Sequence, residues 1–572
     1  MLGMAEGVRR GQVRRVLLVG LAYLIAALVV TWPLATTMTT AVPRGTEREG
    51  TVPLFNLWVL WWNADRASQG WAGYWDAPIF YPTPSTFAFS EPQPLTGLIT
   101  TPLWSLGVPP VLIYNLTVLG ILLLNGLMAY RWGRAVHQAP SSAFLMGLLA
   151  IGAPLIMNFL GVLPLLPIFG MFWILEGLAR FSQSESWSAA LWTAAGTIVL
   201  FLSSQQLSYL FAPFALGAGI VAVGMRRWQP RAALRLGVSS LLAVAIILAI
   251  AIPALTRLHM FGFSRSDRIV AALSASPGDF LTRPETALLS IPPHATSDTG
   301  GLFPGFGVAL LAALGIIQAV RRKGSGWAWV MVAMVVGGAV MAGGLKLNIG
   351  GWQPFDTLRS SIPGLAQIRS PFRFAIVMVV GLVGLAGYGA HMLGGRLASP
   401  LRGRLVVAIL AALAILENLA LPLPLTAIPL EPARPWTAWI QTQTAPVLAH
   451  VPFPAGVHVA EYEIETQRMY AQIAHHAPLV NGYSGYFPQA IAPDSQIVPT
   501  YTQFQLAMAE DFPRYELLCV LQKNLEVTHV VADRPWVEAH SAALLQETRM
   551  VRQYADDQVV IYTITLAPTD CR

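Results

Sequence analysis

The chain has 572 residues, of which 55% are hydrophobic and 11% are charged, and its mean hydropathy is +0.55. A soluble surface requires roughly twice that charged fraction, so the composition excludes a water-soluble enzyme and predicts an integral membrane protein. The formal net charge of +7 belongs mainly to loops that set topology, and we expect no nucleic-acid partner.

The chain begins with a basic segment, 1–15, that precedes the apolar run VLLVGLAYLIAALVVTWPL. About 19 such residues are enough to cross a bilayer as a helix. No small-residue cleavage site followed by a soluble domain is evident, so the run is predicted to be a retained first span rather than a signal peptide. Its basic flank places the amino terminus in the cytoplasm.

Further apolar segments predict about eleven spans in all. They lie at 111–131, 142–159, 161–179, 187–204, 207–225, 233–255, 303–320, 327–345, 372–394 and 404–423. The connections rich in Arg and Lys all fall on one side, as cytoplasmic loops should, and an odd number of spans places the carboxyl-terminal region outside. The pair 142–159 and 161–179, divided by a glycine and prolines, is open to a second interpretation as a broken or re-entrant pair.

Three longer polar loops share the predicted outer side, at 36–110, 256–302 and 346–371. In the first, LFNLWVLWWNADRA predicts a short helix at the membrane interface, with Trp58, Trp61 and Trp62 at headgroup depth. The prolines of the following DAPIFYPTPSTFAFSE predict a fixed, irregular backbone beside that helix. Such backbone usually lines a cavity, and the alternative is a loop that only anchors neighbouring spans.

The second outer loop contains several arginines, among them Arg265 and Arg268. Arginine on the outer side runs against the usual topological bias and needs another reason. Ion pairs within the loops are one explanation, and binding of phosphate or lipid headgroups is the other.

Residues 1–424 are predicted to form the transmembrane domain, and 425–572 an extracytoplasmic α/β domain. In the latter, VHVAEY, VTHVVAD and VVIYTITL predict strands, and TQRMYAQIAHH, RYELLCVLQKN and VEAHSAALLQET predict helices. The two cysteines, Cys519 and Cys571, both fall in this region. A disulfide is permitted outside the cytoplasm, while a buried free thiol at Cys519 is the alternative.

Several motifs occur in a fixed order along the chain: Asn56-Leu57-Trp58 with a second Trp, then PIFYPTPSTFAFSE, then Tyr114-Asn115. Later come LFPGFGVALLAALGI, GLAQIRSPFRFAIVMVVGLVGLAGYG and NGYSGYFP. This order resembles that of bacterial polytopic proteins of the GT-C glycosyltransferase class. The resemblance implies a helical transmembrane bundle in the bacterial inner membrane. Relatives commonly carry an acidic residue where this chain has Val52.

The resemblance implies transfer of a sugar from a polyprenyl-phosphate donor to a cell-envelope glycan or lipid on the outer face. Such a reaction needs a carboxylate to activate the acceptor hydroxyl, and positive charge or a metal to stabilise the leaving phosphate. Glu91 matches the resemblance directly, and Glu47 or Glu49 lies near the expected acidic position. The alternatives for Glu91 are a helix cap or an arginine pair. A divalent cation, Mg²⁺ or Mn²⁺, is left open, with no ligands assigned.

Donor-binding residues are predicted in all three outer loops and at one outer helix end. Arg369 and Arg373 could flank one phosphate, with snorkelling to the interface as the alternative. The full predicted set for the donor is Arg369, Arg373, Arg265, Arg268, Gln205, Tyr209, Asn56, Trp58 and Tyr81. An interhelical hydrogen-bond cluster is the alternative for the polar residues of FLSSQQLSYLF.

Two further acids lie in apolar runs. Glu417 is a functional hypothesis because ionisable groups inside membranes are costly, whereas Glu176 has Arg180 one turn away as a natural partner. Two other functions stay open. A lipid or solute transporter should show two related halves with broken helices, which are not obvious here. A catalytically inactive scaffold with an outer binding domain is kept open by Val52.

Overall fold

The computed structural model describes residues 2–44, 50–263, 265–321, 326–362, 365–396, 400–428, 431–566 and 571. It is mainly helical. The helices up to residue 416 are Leu2–Val30 (α1), Thr51–Ser68 (α2), Pro94–Ser105 (α3), Pro110–Ala135 (α4), Pro140–Ile151 (α5), Pro154–Asn158 (α6), Phe169–Ser184 (α7), Trp187–Ser203 (α8), Gln205–Met225 (α9), Pro230–Met260 (α10), Asp267–Ala272 (α11), Phe306–Arg321 (α12), Gly326–Ala342 (α13), Pro354–Ser361 (α14), Ala375–Arg396 (α15) and Pro400–Leu416 (α16).

Apolar helices recur where spans are predicted. Among the described residues, six stretches are long and apolar enough to cross a membrane: Pro110–Ala135, Pro140–Asn158, Leu163–Ser184, Gln205–Met225, Pro230–Met260 and Pro371–Gly394. Shorter apolar helices lie at Val16–Val30, Trp187–Ser203, Phe306–Arg321 and Gly326–Ala342. Each stretch overlaps a predicted span, and the total of about eleven spans stays a prediction.

The backbone between α5 and α7 is broken, which fits the second interpretation of this pair. Pro154 begins α6 after a short interruption, since proline lacks the N–H that would continue the helix. Leu155, Ile156 and Leu160 are almost completely buried there. Irregular backbone inside a membrane is tolerated where protein surrounds it, and this segment meets that condition.

Glycines let α15 approach its neighbours closely. A Cβ on Gly389 of α15 would collide with the carbonyl oxygen of Leu311 in α12, and one on Gly338 of α13 would lie 2.7 Å from the backbone nitrogen of Met378 in α15. Small residues permit such backbone contact between membrane helices. Backbone packing on two sides therefore sets the position of α15.

The carboxylate of Glu176 is fully buried and has several partners. The predicted pair with Arg180 is present, and Arg131 and the indole N–H of Trp192 also donate to the same carboxylate. A buried charge is stable only when it is paired and hydrogen-bonded. Glu176 therefore joins α4, α7 and α8.

Glu417 also has a structural role. Its carboxylate accepts the backbone N–H groups of Phe306 and Gly307 at the start of α12, at 2.8 and 2.6 Å. It also pairs at 3.1 Å with Arg283, which is 1% exposed and comes from the second outer loop. These contacts satisfy the acid without a ligand, so they account for its presence beside an apolar run.

The last part of the chain combines helices with a small sheet. The helices are Pro435–Gln441 (α17), Glu463–His475 (α18), Tyr501–Glu510 (α19), Tyr515–Cys519 (α20), Arg534–Ala539 (α21) and Ser541–Gln546 (α22). One described strand, Ala41–Pro43 (β1), lies in the first outer loop. The others are Leu425–Ala427 (β2), Leu448–Val451 (β3), His529–Asp533 (β4), Met550–Ala555 (β5) and Val559–Ile564 (β6). The sheet has the order β3-β4-β6-β5, with only β3 and β4 parallel among its described pairs.

The prediction of a strand at VHVAEY is wrong. Val459–Tyr462 form a 3-10 turn that leads directly into α18. The N–H of His458 donates to the Glu461 carboxylate at 2.8 Å, so local capping outweighs the alternating pattern. The predicted strands at VTHVVAD and VVIYTITL are present as β4 and β6, whereas β3 and β5 were not predicted. The division of the chain at residue 424 stays a prediction.

The start of the first outer loop pairs with the segment that follows the last apolar helix. β1 and β2 form an antiparallel pair in which Val42 is opposite Thr426. The carbonyl oxygen of Pro424 also accepts the N–H of Arg44. The carboxyl-terminal region therefore begins beside the first outer loop.

The aromatic helix α2 forms as predicted, but protein covers its tryptophans. Trp58, Trp61 and Trp62 are between 1% and 5% exposed, and α18 packs on α2. The indole N–H of Trp58 donates to the side chain of Gln472 at 2.9 Å. These three side chains therefore contact protein, whereas the prediction placed them among lipid headgroups.

Cys519 and Cys571 form a disulfide, with Cα atoms 5.4 Å apart. It closes a loop with a sequence separation of 52 residues and ties the end of the chain to α20. The alternative of a buried free thiol at Cys519 is therefore wrong.

We predict that reduction of this disulfide destabilises the sheet region. A bridge that closes a loop of this length contributes about 2–4 kcal/mol by constraining the unfolded chain. Cys571→Ser should therefore lower the temperature at which protease begins to cleave 435–566. Alkylation of both cysteines in the unreduced protein would contradict the bridge, and the Cys571→Ser protein gives the reference for one free thiol.

Candidate active site

Glu91 lies at the amino end of α9. It follows the buried turn Thr86–Phe89, and its carboxylate accepts the backbone N–H of Gln206 at 3.0 Å. The first N–H groups of a helix carry partial positive charge, so a carboxylate is stabilised there. The contact joins the first outer loop to α9. The helix cap that was the alternative role for Glu91 is therefore present.

The side chain of Gln206 extends this contact to Arg373. Its amide oxygen accepts a hydrogen bond from Nη1 of Arg373 at 2.9 Å. Arg373 lies in the turn Pro371–Phe374, immediately before α15. Glu91, Gln206 and Arg373 therefore form one connected group contributed by the first outer loop, α9 and the turn that leads into α15.

Burial raises the pKa of Glu91 to about 7, against the opposing effect of hydrogen bonds from Gln206 and Ser204 and of the charge on Arg373. Glu91 lies in a loop outside the spanning helices. Removal from water disfavours the charged carboxylate more than these partners favour it. A carboxyl group with this pKa can take up a proton near neutral pH, as a general base must.

A second group of residues surrounds Arg265 in the second outer loop. The guanidinium stacks on the ring of Tyr486, 3.6 Å from its centroid, and donates to the carbonyl oxygen of Gly485 at 2.9 Å. The Tyr486 hydroxyl in turn donates to Gln367 at 2.7 Å. Burial lowers the pKa of Arg265, the nearby Tyr486 opposes this effect, and the positive charge of Arg369 adds to it.

The two groups are adjacent through an aromatic cluster. Phe89 packs edge-on against Phe263 with ring centroids 5.0 Å apart, and Phe263 stacks on Tyr486 at 4.5 Å. A Cβ on Gly485 would lie 2.9 Å from the carbonyl oxygen of Phe89, so a larger residue would strain this contact. The loop 481–486 therefore packs directly against the segment that ends in Glu91.

Arg265 and Arg369 bring two positive charges close together. Within the described part of the chain, neither Arg265 nor Arg369 forms an ion pair with a carboxylate. The exposed Arg369 lies close enough to Arg265 to affect its protonation. Two neighbouring guanidinium groups without an acid favour binding of an anion, and phosphate matches their geometry.

Gln205 and Tyr209 lie in the first turns of α9, beside Gln206. Both are half-buried, and Nε2 of Gln205 is buried without a hydrogen-bond partner among the described residues. The predicted polar helix end is therefore part of the same site. Arg268 is exposed on α11, and no contact recorded for the described residues links it to Glu91 or Arg265.

The first-loop residues Asn56, Trp58 and Tyr81 have polar groups that bond within the protein. Asn56 accepts from Gln93 at 2.9 Å, and Trp58 donates to Gln472. The Tyr81 hydroxyl donates to Glu526 at 2.9 Å. These bonds hold the first loop together and attach it to the carboxyl-terminal region. Their predicted role in donor binding stays a prediction.

Glu47 and Glu49 lie outside the described residues. Val52, at the position where relatives carry an acid, is a half-buried apolar residue at the start of α2. Glu463 of α18 supplies a carboxylate at this end of α2, where it accepts the N–H of Gly50 at 3.2 Å. No local pattern predicts this contact, because the two residues are 413 positions apart.

No group of three or more His, Cys, Asp or Glu side chains that could hold a metal ion exists within the described ranges. Glu91 alone does not provide a divalent-cation site. Two site residues, Gln367 and Tyr486, were not predicted individually. Gln367 lies in the motif GLAQIRSPFRF, and Tyr486 lies in NGYSGYFP. The resemblance of these two motifs to the GT-C class is the signal in the sequence that points to them.

The chain matches no protein-family model and no curated protein sequence. It does resemble solved structures. The arabinofuranosyltransferase AftD from mycobacteria has a TM-score of 0.57 and 14% sequence identity, over 97% of this chain and 40% of the AftD chain. A mutant form of that enzyme has a TM-score of 0.60 and 13% identity, over 97% and 42% of the two chains.

An oligosaccharyltransferase from Archaeoglobus fulgidus has a TM-score of 0.49 and 13% identity, over 91% of this chain and 69% of that one, a likeness too weak to carry an argument. This chain spans about two fifths of the AftD structure, and identities this low show the fold alone. The resemblance predicted from the motifs is confirmed at that level. The fold is similar to that of membrane glycosyltransferases of the GT-C class.

Proposed function

We propose that the protein transfers a sugar from a polyprenyl-phosphate donor to a cell-envelope glycan or lipid on the outer face of the bacterial inner membrane. The AftD-like fold supports the class of membrane glycosyltransferase. The observation that carries the finer proposal is the combination of Glu91, Arg265 and Arg369 in adjoining outer loops with Arg373 in the turn before α15. This combination has the charges that transfer from a phosphate requires.

In the proposed reaction, the acceptor hydroxyl attacks the anomeric carbon of the donor sugar. The new glycosidic bond forms as the bond between that carbon and the phosphate oxygen breaks. Glu91 takes the hydroxyl proton, and Arg265, Arg369 and Arg373 stabilise the negative charge on the departing phosphate. A carboxylate offers about four acceptor positions, so the hydrogen bond from Gln206 leaves capacity for this proton.

A second candidate function is an inactive scaffold. It is favoured by the contact between Glu91 and Gln206, because helix capping alone is a sufficient reason for a carboxylate at this position. Val52 at the expected acidic position points the same way. The two functions differ in whether loss of the Glu91 charge affects turnover or only stability.

The disulfide supports an extracytoplasmic carboxyl-terminal region, because disulfides persist in oxidising compartments. We therefore predict that a membrane-impermeant thiol reagent labels a cysteine placed at Gln443 in intact spheroplasts. A cysteine at Arg231, in the first turn of α10, should react only after permeabilisation. The labelling is done with Cys519 and Cys571 left in their bridge. The reverse pattern would place Glu91 and its arginines on the wrong side of the membrane and would overturn the proposed function.

We predict that the arginines bind the phosphate of the lipid donor. Arg265→Gln and Arg373→Gln should each weaken binding of purified protein to polyprenyl phosphate by about tenfold to a hundredfold, because each removes a charge-assisted hydrogen bond. Arg514→Gln, an exposed change in the carboxyl-terminal region, is the matched control. Native mass spectrometry of the protein with added lipid measures the affinity. Equal affinity in all four proteins would contradict phosphate binding at this place.

We predict that Glu91→Gln lowers turnover by about a hundredfold or more at unchanged protein abundance, since a general base contributes on that scale. The amide oxygen of Gln can still accept the N–H of Gln206, so α9 keeps its cap. In wild type, turnover should fall as pH decreases through about 7, because the carboxylate becomes protonated below its pKa.

The measurement is sugar transfer in membrane vesicles over the pH range around neutrality. Glu510→Gln, exposed at the end of α19, is the control. Loss of abundance in step with activity, or a wild-type pH profile in the Glu91→Gln protein, would contradict a general base at Glu91, and wild-type vesicles without any sugar transfer would favour the scaffold.

A further inference from the structure

A cavity of about 310 Å³ lies at the ends of α9 and α15 that are remote from Glu91. Met225, at the end of α9, and His391, in α15, both line it. The 18 positions from Arg373 to His391 correspond to about 27 Å at a helical rise of about 1.5 Å per residue. The cavity is therefore separate from the candidate active site. Its volume falls in the range of small-molecule sites.

The side chain of Gln138 is held against this cavity without a partner. Gln138 is 2% exposed, and neither its amide nitrogen nor its amide oxygen has a hydrogen-bond partner among the described residues. A Cβ on Gly387 would lie 2.6 Å from this oxygen, so the glycine makes room for the amide. Gln318, on α12, also has a buried amide oxygen without a partner. Buried polar groups are normally satisfied, so both amides point to a bound molecule.

The described lining carries no carboxylate, ammonium or guanidinium group. None of the described residues that line the cavity is Asp, Glu, Lys or Arg. Nδ1 of His391 accepts the backbone N–H of Ala139 at 3.0 Å, which requires that nitrogen to be unprotonated. A charged ligand would lose its hydration without meeting an opposite charge. Hydroxyl groups both donate and accept, and therefore complement the free amide atoms of Gln138.

The rest of the lining is apolar and continues onto the outside of the helices. Trp327 and Met225 line the cavity, and nearby turns of the same helices expose Ile220 and Trp329, at 50% and 49%. Apolar side chains exposed on spanning helices face lipid tails. We infer that the cavity binds the uncharged, hydroxyl-bearing head group of a neutral lipid such as a monoacylglycerol, with its chain against α9 and α13.

The test measures binding of lipids to the purified full-length protein by native mass spectrometry. The probes are 1-oleoylglycerol, the phosphorylated lipid 1-oleoyl-lysophosphatidate, and free glycerol as a competitor. The Arg265→Gln/Arg373→Gln double variant, which lacks two of the proposed phosphate-binding arginines, should bind oleoylglycerol at least tenfold more tightly than lysophosphatidate. Gln138→Leu and Gln318→Leu should each weaken oleoylglycerol binding by about tenfold, as expected for loss of one or two buried hydrogen bonds. Gln443→Leu, in the carboxyl-terminal region, is the matched control.

Competition by free glycerol at millimolar concentration would assign the same hydroxyl site to a soluble polyol rather than a lipid. Tighter binding of lysophosphatidate would overturn the proposal, and so would unchanged oleoylglycerol binding in both Leu variants. The comparison of the two lipids uses a protein whose cavity is unaltered, so it decides the question even if a Leu variant fails to fold. Polyprenyl phosphate binding at the arginines is measured separately, and its loss or retention leaves this result unaffected.

Discussion

The buried amide of Gln472 is the contact on which the position of the first outer loop depends. Its oxygen accepts the indole N–H of Trp58, and its nitrogen donates to the carbonyl oxygens of Pro78 and Ala477. One side chain of α18 thus binds both the aromatic helix and the proline-rich segment of the first outer loop. Leaving any of these buried groups unpaired would cost about 1–3 kcal/mol, so the loop keeps one position relative to the carboxyl-terminal region.

That fixed loop explains how a charged site can be built beside apolar helices. Glu91 ends the same proline-rich segment, and its carboxylate is placed at the positive end of α9 before any substrate is present. Arg265 is held against Tyr486 of the carboxyl-terminal region. Side chains already held in place lose little conformational entropy when a phosphate binds, which is the physical meaning of a preorganised site.

Much of this architecture follows from the sequence, and the rest depends on contacts between distant residues. Apolar runs predict the helices because length and hydropathy are local properties. The link from Glu91 through Gln206 to Arg373 was not predictable as a geometry, since its members are 115 and 167 positions apart. The turn at VHVAEY was mispredicted because a capping contact of Glu461 overrides the alternation of its neighbours. Motif resemblance located the residues of the site but not their partners.

The position of Arg373 is decided by helix packing rather than by the loop that contains it. Arg373 directly precedes α15, and this helix meets α13 at Gly338 and α12 at Gly389 through backbone contact. Side chains can change rotamer, but backbones in contact cannot slide without opening a void. The outer end of α15 is thereby fixed to the membrane helices, whereas Glu91 is fixed to the carboxyl-terminal region. Gln206 belongs to α9, which is one of the membrane helices, so movement of the first outer loop relative to the bundle would stretch its hydrogen bond to Glu91 while its bond to Arg373 stays within the bundle.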